Sequence, residues 1–100
     1  MEKLWDAFER AKTYFDVDKK QSAEKLIDYI SVDIDKEIIK AEFHTLTKIG
    51  NNYRIRHHEK NKKEISDPNQ IAYLFFRMLS LLDLVMTTII KIETNQLNLD

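Results

Sequence analysis

Cysteine is absent from this chain of 100 residues, and glycine and proline occur once each. Without thiols there can be no disulfide framework and no thiolate metal site. A single Gly and a single Pro leave too few turn-formers for the many reversals of an all-β chain, whereas a helical bundle needs few. No apolar run is long: Ile71 to Phe76 is the longest and stops at Arg77, far short of the roughly 20 residues that span a bilayer. The amino terminus, MEKLWDAFER, is charged and amphipathic and lacks the apolar region of a secretory signal. These shortages predict a single cytoplasmic domain over residues 1–100, all-α, with one core and no membrane segment.

What is present fits that class. The chain is 43% hydrophobic and 33% charged, a balance that separates it from disordered and fibrous sequences. Leu4, Phe8, Ala11 and Phe15, with Trp5 beside them, recur at steps of four and three and predict a helix over about residues 2–16. Asp18, followed by Gln21, resembles a capping box, and Ala23, Leu26, Ile27 and Ile30 supply the apolar stripe of a second helix over about 19–30. Beyond the capping candidates Ser31 and Asp33, the residues Ile38, Ile39, Phe43, Leu46 and Ile49 mark a third over about 34–49, which Gly50 would close in a left-handed cap. Asp67, Pro68 and Gln70 form the clearest start signal, for a fourth helix over about 68–93. From Ile71 to Ile92 apolar residues fill 16 of 22 positions, wider than the stripe of a surface helix, so a second copy of the chain is the expected cover. Arg77 and Asp83 within it are expected to serve solubility on an exposed edge.

Between the third and fourth helices lies GNNYRIRHHEKNKK, Gly50 to Lys63, which gathers two of the three histidines and two of the four arginines. From Asn51 to Lys63 five Lys or Arg residues face one acid, Glu59, an excess of +4 in a chain whose total is −1. Such a local excess attracts phosphate even when overall charge is near zero. Arginine offers a planar fork of donors, and histidine ordinarily titrates near neutral pH, a combination suited to binding or cutting a phosphodiester. The bland alternative is a solvated polar connection. There is no Gly-rich phosphate loop, no catalytic pair of carboxylates and no HExxH zinc motif. On a helix His57 and His58 would point about 100° apart, poor geometry for one metal, and Glu42 and His44 are expected to be merely exposed. Neither a metal nor a cofactor is expected.

The wording of the chain, EKLWDAFERAKTYFD, then DKKQSAEKLI, LTKIGNNYRIRHHEK and YLFFRMLSLLDL, resembles the HEPN superfamily, and within it the C-terminal domains of bacterial abortive-infection-like proteins of phage defence. The resemblance covers nearly the whole chain. It implies a four-helix up-and-down bundle that forms a homodimer, in which the Arg and His of an R-x(4 to 6)-H motif from both copies face each other and cut RNA without a metal. It also implies a domain that usually closes a longer chain, with a partner domain or an antitoxin. Carried onto this sequence, the catalytic candidates are Arg54, Arg56, His57 and His58, and the RNA-binding candidates are Asn51, Asn52, Tyr53, Lys60, Lys62 and Lys63. Arg54 is followed by His57 and His58 with only two or three residues between, shorter than the family spacing, and Ile55 stands where a polar residue often follows the arginine.

In the mechanism this resemblance implies, His58 or His57 moves the proton of an RNA 2′-hydroxyl or of the leaving oxygen, and Arg54 and Arg56 stabilise charge on the phosphoryl oxygens. Lys60, Lys62 and Lys63 hold the backbone, and Tyr53 can stack a base. Two alternatives stand beside a toxin or defence ribonuclease: a catalytically silent HEPN-like module that dimerises or binds RNA or nucleotide, and an unrelated helical interaction domain.

Overall fold

The computed structural model describes residues 1–15, 18–55 and 59–98. Four helices account for its regular structure: α1 (Glu2–Ala11), α2 (Lys19–Ile30), α3 (Lys36–Asn52) and α4 (Pro68–Asn98). The chain is all-α, a helical bundle, and an isolated bridge between Tyr53 and Lys63 is the sole β-type pairing among the described residues.

The starts of two helices have a local cause. α2 begins at Asp18, whose carboxylate accepts from the backbone N–H groups of Lys20 (3.0 Å) and Gln21 (3.3 Å), satisfying donors that a first turn leaves orphaned. α4 begins in the same way, with Gln70 N–H donating to Asp67 Oδ2 at 2.9 Å. α1 stops at Ala11 instead of running on to residue 16. Thr13 and Tyr14 turn their N–H groups to carbonyls three residues back, and Phe15 N–H donates to the Oγ of Ser22 at 2.9 Å. Ser22 is wholly buried, so the end of α1 is set by a partner on the next helix. Ser31 does not cap α3: it closes α2, its hydroxyl donating to Ile27 O at 2.7 Å, and Asp35 stands at the N-cap of α3.

The glycine is the main correction. Gly50 lies inside α3, which continues to Asn52, and has no left-handed backbone conformation. A methyl group there would overlap the six-membered ring of the Trp5 indole. Glycine is present because α1 presses its tryptophan flat onto the α3 backbone, a close approach that any side chain would block. The indole also meets Phe8, whose ring lies 5.6 Å from that of Phe43 on α3. Leu26, Ile27 and Ile30 of α2, Ile39 and Leu46 of α3, and Met78, Leu81, Val85 and Ile89 of α4 belong to the same core, and Ile92 is buried as well.

α4 is 31 residues long, about 46 Å at 1.5 Å per residue, and so accounts for the 49 Å long axis of the molecule. α1 and α2 pack along it, and one of its stripes is fully used. The opposite side is bare: Phe76 is 63% exposed, Ile90 58%, Met86 43% and Leu79 41%. By length and composition this helix could cross a bilayer, with a mean hydropathy of 1.7 in its most apolar stretch, a property that the short uninterrupted runs of the sequence conceal. Of that stretch 28% is buried, within the core of the bundle. Arg77 also is no mere solubilising charge: its Nε donates to Glu42 Oε1 at 2.9 Å and a second bond forms through Nη2, tying α4 to α3. Desolvation lowers the pKa of the guanidinium, but the hydrogen bond and charge of Glu42 outweigh it and raise it.

Candidate nucleic-acid interface

The basic segment leaves α3 as a loop fastened at both ends. Tyr53 N–H closes the last turn of α3 on Ile49 O (2.9 Å), Arg54 N–H donates to Lys63 O (2.7 Å), and Lys63 N–H donates to Asn52 O (3.2 Å). Ile55 is buried in the core. These bonds bring residues 52–54 beside residue 63 at the C-terminal end of α3.

Lys62 reinforces the closure. Its Nζ donates to Gly50 O at 3.2 Å and to Glu59 Oε2 at 2.6 Å. A cation on a final-turn carbonyl offsets the partial negative charge at a helix C-terminus, a charge that would otherwise repel an anion from this end of α3. Part of the local positive charge is therefore structural. Arg54 pairs with Glu64 at 2.9 Å, and the Nζ of Lys63 lies 5.7 Å from the centre of the Tyr53 ring. Asn51 and Lys60 are exposed, and the amide of Asn52 folds back onto Lys48 O at 2.9 Å. Thus Asn51, Asn52, Tyr53, Arg54, Lys60, Lys62 and Lys63 are gathered at one end of the bundle. Arg56, His57 and His58, the remaining expected site residues, lie outside the described residues.

Two clefts flank the loop. One, of about 570 Å³, separates it from the start of α4 and is lined by Tyr53, Lys63, Glu64, Ile65, Gln70 and Tyr73 among others. The other, of about 640 Å³, is a trough between α1, α2 and α3 that ends at Gly50, Asn51, Glu59 and Lys62. Its floor is Trp5, Ala23, Ile27 and Phe43, and its walls carry Lys12, Lys20, Lys40 and His44. Lys12 is only 7% exposed. Its ammonium is held by Thr47 Oγ1 at 3.0 Å and Glu9 Oε1 at 3.1 Å, above the Phe8 ring, which satisfies a charge that burial would otherwise penalise heavily. Sequence reasoning did not find this trough. Its one legible sign was Lys40, His44, Lys48 and Asn51 at helical spacing, a polar edge on a helix read only for its apolar stripe.

Among the described residues no group of His, Asp or Glu side chains is arranged to hold a metal ion. Comparison of the chain with protein families, with curated proteins and with solved structures finds no match.

Proposed function

We propose that this chain is a HEPN-like domain of a toxin or phage-defence system, forming a homodimer of up-and-down bundles and cutting RNA without a metal at an Arg/His site shared between two copies. The observation that carries this reading is the pairing of residues 52–54 with residue 63, which gathers Asn51, Tyr53, Arg54, Lys60 and Lys63 at one end of the bundle. Beside it starts α4, where Tyr73, Phe76 and Leu79 stand uncovered. Two copies that pack through this half of α4 bring their loops near each other.

In this reading His58 is the principal acid or base, acting on the 2′-hydroxyl or on the leaving oxygen, with His57 beside it. Arg56 and Arg54 stabilise the phosphoryl oxygens, each well-aimed donor being worth about 3 kcal/mol. Lys60 and Lys63 hold the backbone, and Lys62 positions the loop. A 2′-hydroxyl nucleophile makes RNA, not DNA, the substrate. The direct test is incubation of the purified protein with single-stranded RNA in excess chelator, where cleavage to products ending in a 2′,3′-cyclic phosphate is expected; intact RNA rejects the ribonuclease.

Two observations favour a second reading, a catalytically silent module that dimerises or binds RNA or nucleotide. Arg54 is engaged by Glu64, and its distance along the chain from His57 and His58 is shorter than the family motif. RNA bound but left intact by the full-length protein selects that reading.

A further inference from the structure

We infer that single-stranded RNA does not end at the loop but runs on from it along α3, its phosphates held by the edge that Lys40, His44, Lys48 and Asn51 form, with Lys20 of α2 across the trough. This rests on the proposal that RNA is the ligand of the loop, and it assigns the path of the strand beyond the site.

The geometry is that of one helix face. Lys40, His44, Lys48 and Asn51 follow at steps of four, four and three, so they lie above one another on α3. All four are exposed, and Lys40, His44 and Asn51 also line the trough that ends at Lys62 and Glu59. From Lys40 to Asn51 the edge spans about 16 Å at 1.5 Å per residue, enough for several consecutive phosphates. Three of the acids near it are occupied, while Glu37 stands exposed one turn before Lys40. Glu42 is bound to Arg77, Glu59 to Lys62, and Glu9 to Lys12. Glu24 reaches Lys40 only at 4.0 Å with both side chains about half exposed, a contact a phosphate can replace at small cost. The lip thus carries cations along a groove, and a positively charged groove that tracks the backbone is one of the features single-strand binders use. Lys62, by offsetting the C-terminal end of α3, lets the positive edge continue into the loop without a negative break.

The test uses fluorescence anisotropy with a 2′-O-methyl RNA, which the proposed chemistry cannot cut, in a strand long enough to overrun the loop. The double variant Lys40→Ala/Lys48→Ala changes two exposed side chains and should retain the parent's circular dichroism and unfolding midpoint. Its affinity is expected to fall about tenfold or more at low salt, and the slope of log affinity against log salt to become shallower by about 0.7 per lysine removed. Lys91→Ala, an exposed lysine on α4 away from the trough, is expected to bind as the parent does. Equal affinity and slope for the double variant and the parent overturn the track, and so does an equal loss from Lys91→Ala, which would mean that only total charge matters. Failure of the parent to bind the strand at low salt also overturns it. Cleavage of unmodified RNA is measured in parallel: loss of binding in the double variant alongside a parent that cuts nothing leaves the track standing and removes the ribonuclease reading.

Discussion

At the scale of single residues, Gly50 shows how a tertiary contact can reverse a local preference. Helix propensity alone favours Gly50→Ala by up to about 1 kcal/mol. The added methyl, however, has to displace the Trp5 ring, and Trp5 is only 4% exposed and boxed in by Phe8. Over-packing of this kind costs about 1–3 kcal/mol, so the variant is expected to unfold at lower denaturant than the parent. A higher midpoint would mean that the indole moves aside freely. Tyr14 supplies a second prediction. Burial pushes its phenol above the ordinary value of 10.0, and Glu93, accepting its hydrogen bond at 3.1 Å, pushes it further. The fold therefore favours the protonated phenol. The resulting stability is present below about pH 10 and is lost as pH rises through the raised value. Denaturant midpoints measured from pH 9 to 11 should fall more steeply for the parent than for Tyr14→Phe; parallel curves would show that the contact contributes nothing.

At the scale of elements, legibility follows the range of the deciding interaction. The bounds of α2 were readable because Asp18 at its start and the apolar spacing that ends at Ile30 are local, and the start of α4 because Asp67 and Pro68 adjoin it. The end of α1 was not, since Ser22 fixes it from the next helix, and the end of α3 was not, since Trp5 explains Gly50 from another. The basic loop could be located by composition, but its closure could not: the bonds between residues 52–54 and residue 63 leave no periodic trace. Nor does sequence show that Arg54 and Lys62 are partly consumed by Glu64 and Glu59. α4 carries the element-scale prediction. Ala72, Leu79 and Met86 stand seven residues apart on the exposed side, with Phe76 and Ile90 on the same face and Asp83 interrupting it, an apolar face able to pair with another helix. Leu79 is 41% exposed, so Leu79→Asp disturbs the lone fold little. It is expected to turn a species of twice the chain mass into a monomer in light scattering; a parent that is already monomeric removes the shared-site account.

At the scale of the whole molecule, a chain of net charge −1 has a local excess of positive charge in the sequence from Asn51 to Lys63, and its uncovered apolar surface lies along α4. In the proposed reading the long helix holds two copies together while the loop meets RNA, and neither surface consumes the core that α1 and α2 complete. The central claim, that a histidine in this loop performs metal-independent RNA cleavage, is tested most directly by comparing the parent with His58→Ala and His57→Ala. Each is assayed as a folded protein of unchanged thermal stability, on single-stranded RNA in chelator. The account predicts that the parent cuts, that His58→Ala does not, and that His57→Ala keeps a measurable fraction of the rate. Cleavage by His58→Ala at the parental rate contradicts it.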